Sequence, residues 1–309
     1  MSKRAELVDC LIVGGGPAGL TAAIYAARFR LRTVVVDAGD SRAAQIPCTR
    51  NHAGFPGGIA GADLLERMRR QALEFGAELR SGRVSAIEGQ FGRFTARLPD
   101  SRFVWARAMI LATGVSNHRP DIEGELHDLA LKRGLLRYCP VCDGFEVTDK
   151  NVAVIGSGAH AIKEATFLRA YSGQVTVIAR DAKAGFDDAQ EASLATISVP
   201  VLGGPPTAFR VETDGLSVEA AGRRLTFDAV YPALGSTAHS ELAAALGARL
   251  TEEGCIKVDP HQRTSVPGLY AAGDVVIGLD QISHAMGEAG VAATTLRNDL
   301  AALSPQLRP

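Results

Sequence analysis

The chain has 309 residues, 46% of them hydrophobic and 22% charged, with a formal net charge of −1. That length calls for about two domains of roughly 100–200 residues each, and the near-neutral balance excludes the basic footprint of a nucleic-acid binder. No run approaches the ~20 apolar residues of a membrane span, and five scattered cysteines (Cys10, Cys48, Cys139, Cys142, Cys255) do not make a secreted disulfide scaffold. No nucleic-acid or membrane partner is therefore expected, and a reducing cytoplasm is the expected location. The first apolar run leads straight into a glycine turn, so it is expected to belong to the fold and not to a targeting leader.

Residues 7–13 (Leu-Val-Asp-Cys-Leu-Ile-Val) predict a buried strand. Gly14-Gly15-Gly16-Pro17-Ala18-Gly19 then fits the G-x-G-x-x-G spacing, a helix is predicted over 20–28, and a second strand over 32–36 ends in Asp37. Glycines at this spacing allow a tight turn and close backbone approach to a pyrophosphate, whose charge the helix N-terminus favours. An acid at the end of the second strand is placed to accept hydrogen bonds from ribose hydroxyls. Strand, turn, helix and acid in register make the motif specific.

Cys139-Pro140-Val141-Cys142-Asp143-Gly144 comes next, directly before a second nucleotide unit. That unit consists of a strand over 152–155, the turn Gly156-Ser157-Gly158-Ala159-His160-Ala161, a helix over 162–170 and a strand over 175–178. Here the acid is missing: Ala179 stands at the strand end, followed by Arg180 and Asp181. Two nucleotide units in one chain imply hydride transfer between ligands. Two cysteines separated by two residues form a small reversible disulfide, whose reactivity follows the thiolate. A zinc half-site is the competing interpretation, but a structural zinc needs four ligands. The other cysteines are scattered singly, so no metal is expected. Cys10 and Cys255 are expected as buried apolar residues and Cys48 as structural. Together these features point to a flavin-linked disulfide reductase. Further on, residues 268–275 (Gly-Leu-Tyr-Ala-Ala-Gly-Asp-Val) predict a short strand and a small-residue turn, with Gln281 and a helix over 287–300 behind them.

Five of these motifs, in this order, resemble the low-molecular-weight thioredoxin reductases over essentially the whole chain. The first turn with Asp37 is similar to that family's FAD turn, and Leu111-Ala112-Thr113-Gly114 to its strand leaving the FAD domain. Cys139 to Gly144 is similar to its redox-active Cys-x-x-Cys-Asp-Gly, the turn 156–161 to its NADPH turn, and 271–275 with Gln281 to its second FAD segment. The resemblance implies an α/β fold of two Rossmann-like three-layer (ββα) nucleotide-binding domains. A discontinuous FAD domain (1–116 and 241–309) would carry an inserted NAD(P) domain (117–240) that holds the cysteine pair. It also implies a homodimer, a thioredoxin or thioredoxin-like protein as acceptor, and a stretch at 51–79 that covers the flavin and builds the dimer.

Residue by residue, the resemblance assigns Cys139 and Cys142 as the redox pair and Asp143 as the proton donor. In the related dithiol oxidases of natural-product biosynthesis, histidine takes that last position. FAD contacts are implied for Gly14, Gly16, Pro17, Ala18, Gly19, Asp37, Ala112, Thr113, Gly114, Gly273, Asp274, Gln281 and Ile282. NAD(P) contacts are implied for Gly156, Gly158, Ala159, His160, Ala161 and Arg180. Because the cysteines and the second turn share one domain and must both reach one flavin, that domain is expected to swivel about hinges near 115–117 and 238–242.

The chain departs from the family in three places. The 2′-phosphate clamp His-Arg-Arg-x-x-x-Arg reads Ala179-Arg180-Asp181-Ala182-Lys183-Ala184-Gly185, which keeps only Arg180 with Lys183 nearby. His160 replaces a small or hydroxyl residue, and Asp280 replaces an arginine. NADPH, NADH and a non-nicotinamide donor such as ferredoxin therefore stay open. So do a dithiol oxidase that passes electrons to oxygen and, from another class, a non-catalytic flavin-binding redox sensor.

Overall fold

A computed structural model describes residues 7–99, 102–180 and 186–305. Asp181, Lys183 and Gly185 of the expected phosphate clamp lie outside the described residues. The chain forms two compact units. One is drawn from Met1–Ala44, Ala60–Ser116 and Thr237–Pro309, the other from Gln45–Ile59 and Asn117–Ser236. The stretch 51–79 is thereby divided between them.

The elements run β1 (Val8–Val13), α1 (Pro17–Arg28), β2 (Thr33–Asp37), α2 (Gly61–Glu74), β3 (Glu78–Ser81), β4 (Ala86–Gln90), β5 (Arg93–Arg97), β6 (Phe103–Leu111) and β7 (Val115–Asn117). Then come α3 (Gly124–Lys132), α4 (Pro140–Asp143), β8 (Val152–Gly156), α5 (Gly158–Leu168), β9 (Val175–Ala179), α6 (Asp188–Thr196), β10 (Val201–Leu202), β11 (Thr207–Val211), β12 (Leu216–Ala220), β13 (Arg223–Phe227) and β14 (Ala229–Ala233). The chain closes with β15 (Ser236–Ala238), α7 (Glu241–Ala245), β16 (Leu269–Ala271) and α8 (Ile282–Leu303).

In the first unit the sheet order is β3-β2-β1-β6-β5-β4, with β16 also paired to β6. Strands β3, β2, β1, β6 and β16 are parallel, whereas β5 and β4 join antiparallel through the first half of β6. Alternation along β1 explains the layers. Cys10 and Ile12 face the helices α1 and α8, while Leu11 and Val13 face the opposite core with Phe94 and Met109. A one-residue slip would turn every one of these side chains to the wrong layer. Alanine lines the contact between α1 (Ala22, Ala23, Ala26) and α8 (Ala289, Ala292, Ala293), and all six are fully buried. Small side chains let the two backbones approach closely.

The second unit repeats the plan with its two sheets separate. A parallel sheet runs β10-β9-β8-β14, and β11-β12-β13 form an antiparallel sheet. Val152 and Val154 of β8 pack toward α5 and α6, while Ala153 and Ile155 face the core that holds Leu216 and Val218 of β12. Parallel strands covered on both faces explain the continuous apolar runs.

Three expectations need correction. Helix α5 begins at Gly158, four residues before the expected start, because the small residues of the turn continue directly into helix. Helix α8 begins at Ile282, not Gly287. Its glycines are internal, and Gly290 carries the Tyr25 ring. Cys255 is only partly buried, unlike the fully buried Cys10.

Candidate active site

The first turn is a backbone cradle. Gly14 adopts φ +110°, and a Cβ there would lie 2.2 Å from the Ala112 carbonyl oxygen. A Cβ on Gly19 would lie 1.9 Å from the Gly14 oxygen, so α1 can sit against β1 only as glycine. No side chain caps α1 at Gly16, and Pro17 presets its first turn. Asp37 packs onto Gly15. Its Oδ1 accepts from the Gly15 and Gly39 amides (3.2 and 3.1 Å), and its Oδ2 lies 3.1 Å from Arg69 Nη2.

Ala112 joins this turn by donating its amide to the Val13 carbonyl (2.8 Å). Gly273, at φ +80°, reaches the same place, since a Cβ on it would meet the Ala18 methyl at 2.8 Å. Thr113 and Gly114 turn instead to His239: the Thr113 hydroxyl donates to the His239 carbonyl (2.6 Å), and the His239 amide donates to the Gly114 carbonyl (3.0 Å). Asp274 is held by Arg42 Nη2 at 2.7 Å, which also lies 3.2 Å from Asp280. The arginine expected beside Gln281 is absent, and Arg42 brings a positive charge there from the other end of the chain. Burial and the Asp274 charge raise the Asp280 carboxyl, and Arg42 opposes them. Gln281 and Ile282 open α8, half-buried, and the Gln281 amide group donates to the Asp280 carbonyl (2.9 Å). Glu288, buried one helix turn beyond His284, accepts the Gly273 amide at 2.7 Å.

The cysteine pair is built by a short extended segment. Leu136 bridges Val230, and the Arg137 amide donates to the Val230 carbonyl (2.9 Å), so the segment runs beside β14. Cys139 keeps extended dihedrals and caps α4, its Sγ accepting the Cys142 amide at 3.1 Å. Pro140 at the first helical position turns the chain so that Cys142 comes back over Cys139. The two sulfurs form a disulfide with the Cα atoms 5.2 Å apart. Gly144 follows because a Cβ would meet the Tyr171 ring at 2.9 Å.

Asp143 is clamped on both oxygens. Arg137 Nη1 donates to Oδ2 at 2.7 Å, and the hydroxyl of fully buried Tyr231 donates to Oδ1 at 2.8 Å. Burial raises the Asp143 carboxyl above the usual carboxylate range, while Arg137 and Tyr231 pull it back. Just before Cys139 in the chain, Tyr138 places its hydroxyl 2.9 Å from Nε2 of buried His127. Burial pushes the Tyr138 hydroxyl up to about 12.

The second turn is more open. Gly156 ends β8, where a Cβ would lie 2.8 Å from the Ala233 oxygen, but Gly158, at φ +63°, faces empty space. The Arg180 amide donates to the Gly156 carbonyl (3.2 Å), and its side chain is exposed. Ala159 and Ala161 lie in the first turn of α5, with Ala161 buried. His160 points along the helix, with Nε2 3.2 Å from Glu164 Oε1. Burial and Lys163 drive that imidazole toward its neutral form. Burial pushes the Glu164 carboxyl up to about 7.

Arg137, Tyr231, Arg42 and Glu288 escaped the sequence reading. A tyrosine inside the otherwise apolar run Ala-Val-Tyr-Pro-Ala was the one available signal, because a buried phenol needs a partner. Among the described residues no group of three or more His, Cys, Asp or Glu is placed to hold a metal, and no helix is long and apolar enough to cross a membrane.

A family model described as pyridine nucleotide-disulphide oxidoreductase matches residues 8–289. A thioredoxin reductase of Mycolicibacterium smegmatis is 34% identical over 89% of this chain and 91% of its own length. One of Listeria innocua is 32% identical over 94% of this chain and 93% of its own. The crystal structure of the thioredoxin reductase from Streptococcus pyogenes superposes with a TM-score of 0.88 at 27% identity, covering 96% of this chain and 99% of that one. With the paired glycine turns and the closed disulfide already in view, these likenesses show that the chain belongs to the pyridine nucleotide-disulphide oxidoreductase family.

Proposed function

We propose that the chain is an FAD-dependent disulfide reductase. It would take electrons from a reduced nicotinamide dinucleotide and pass them through the Cys139–Cys142 pair to the disulfide of thioredoxin or a thioredoxin-like protein. One observation carries the proposal: a closed Cys139–Cys142 disulfide sits directly before a half-buried acid, in the same unit as a dinucleotide-type turn. The relatives named as thioredoxin reductases support it.

The residues of the first turn suit FAD. Glycines leave the backbone bare where a pyrophosphate needs it, and the amides at the start of α1 carry no side-chain cap. Gly14, Gly16, Pro17, Ala18 and Gly19 would hold the pyrophosphate, and Asp37 a ribose. Ala112, Thr113, Gly114, Gly273, Asp274, Gln281 and Ile282 would complete the site. FAD supplies a two-electron carrier when bound. The chain's own residues orient it, and Cys139 and Cys142 accept the electron pair as their S–S bond opens. Asp143 holds the proton that a leaving thiolate needs.

In the second unit Gly156, Gly158, Ala159 and Ala161 would receive the nicotinamide dinucleotide, with Arg180 at its outer end. His160 is engaged with Glu164, which supports a role in shaping the helix start. Because both the second turn and the cysteines must serve one flavin, the second unit is proposed to turn about 115–117 and 238–242 between half-reactions. A homodimer belongs to the proposal: Tyr25 on α1, Phe29 just after it and Val291 on the neighbouring α8 stay exposed for it.

The test replaces either cysteine by serine. Flavin reduction by NADPH or NADH should persist, and reduction of thioredoxin should fall to background. Thioredoxin turnover that survives in both serine variants would overturn the proposal. Titrating both nicotinamides chooses the donor, and the thinned clamp predicts no preference for NADPH.

A further inference from the structure

We propose that Arg137 and Tyr231 are positioning residues that hold Asp143 in a two-point clamp beside the Cys139–Cys142 pair and so govern when it gives up and regains a proton. The inference rests on the redox role proposed for that pair.

The geometry is specific to the carboxylate. Arg137 donates to one oxygen at 2.7 Å and Tyr231 to the other at 2.8 Å. Each clamping residue is itself fixed. Arg137 Nε donates to the Gly134 carbonyl at 2.8 Å, and its amide is tied to β14. Tyr231 is fully buried at the centre of β14, in register with Val154 of β8. Neither can follow Asp143 if it moves, so the carboxylate is held to one orientation. The Glu146 charge, three residues on, acts on the group in the opposite direction, and the Tyr171 ring closes the side next to Gly144.

Such a clamp has a chemical purpose. When the reduced pair attacks a partner disulfide, one of its sulfurs bonds to one partner sulfur, and the partner's S–S bond breaks. The second cysteine thiolate then attacks the mixed disulfide, closing the Cys139–Cys142 bond again. Two electrons and two protons pass from the pair to the partner thiols. An adjacent carboxylate can take one proton from the pair and hand it to a departing thiolate, provided that it can exist in both forms near neutral pH. Burial alone drives Asp143 toward the protonated form, so it would hold its proton and could not act as a base. The guanidinium and the phenol hydroxyl both stabilise the carboxylate and keep the exchange open.

The experiment uses the holoprotein, its pair reduced with dithiothreitol. Alkylation of Cys139 and Cys142 by iodoacetamide is followed from pH 4.5 to 10 by peptide mass spectrometry, which separates these sites from Cys10, Cys48 and Cys255. The wild type should show two inflections in reactivity, the lower one lost in Asp143→Asn. Arg137→Met should raise the lower inflection by about one unit or more, Tyr231→Phe by about half a unit, and Arg137→Lys should restore most of the shift. Should Arg137→Met fold poorly, Tyr231→Phe and Arg137→Lys still decide the matter, since both preserve volume or charge. An inflection unmoved in folded Tyr231→Phe and Arg137→Met, or absent from the wild type, overturns the clamp. Failure of the redox proposal reads out separately, as a disulfide that stays closed while the bound flavin is reduced.

Discussion

The two glycine turns have the same chain order and different surroundings. The first is buttressed on every side: Ala112 presses on Gly14, Gly14 on Gly19, Asp37 on Gly15, and Ala18 on Gly273. In the second, an added Cβ would press on Ala233 and Ala161 at Gly156 but meet nothing at Gly158. An acid closes the first at the end of β2, and Ala179 stands at the matching end of β9. A ligand that stays through many turnovers needs a preorganised, crowded cradle, whereas a ligand that must leave each cycle is served by an open one. That contrast is what the proposal of a resident FAD and an exchanging nicotinamide requires.

The sharpest way to break the contrast is to add one methyl group to each turn. Gly14→Ala combines a forbidden contact with a left-handed backbone and should cost roughly 3–5 kcal/mol, with loss of bound flavin. Gly158→Ala meets no atom, carries only the backbone penalty of about 1 kcal/mol, and should retain flavin while weakening nicotinamide binding. Thermal melts and the visible flavin absorbance check both. Equal effects would remove the distinction.

A second prediction concerns pH and the second turn alone. Glu164 is pushed up to about 7 by burial, so between its unfolded range near 4.5 and 7 the folded state binds the extra proton. Stability from this group is therefore present below about pH 4.5 and lost as pH rises through 7. Glu164→Gln should stabilise the protein by about 1–3 kcal/mol at pH 8 and have little effect at pH 4. Denaturant midpoints at the two pH values would show it.

The smallest expected effect lies in the first turn. Arg69→Ala removes an ion pair to Asp37 that is part-exposed on both sides, and should cost about 0.5–1 kcal/mol. A small rise in flavin dissociation should accompany it, because the two backbone amides still hold Asp37. Complete loss of flavin would mean that Arg69 contributes more to the cradle than the amides do.

Both turns and the cysteine pair could be recognised in the sequence because their chemistry is local. Glycine spacing, Asp37 at a strand end and Cys-Pro-Val-Cys-Asp-Gly each lie within a few residues. The clamp on Asp143 could not be recognised as a contact, since Tyr231 is 88 residues away and a lone phenol in an apolar strand signals only that it needs a partner, not which one. Arg42 meets Asp274 and Asp280 from more than 230 residues away, and no periodicity announces it. The start of α8 was missed for a different reason. Gly287 and Gly290 weaken its helical pattern, and the structure retains glycine at 290 because the Tyr25 ring packs there.

The most direct test is anaerobic. Reduced nicotinamide is added to the flavin-loaded protein, and the thiols at 139 and 142 are trapped and weighed after the flavin has bleached and partly recovered its colour. Both sulfurs should become labelled in proportion to the electron pairs supplied. Flavin that bleaches while the disulfide never opens would contradict the proposed electron route.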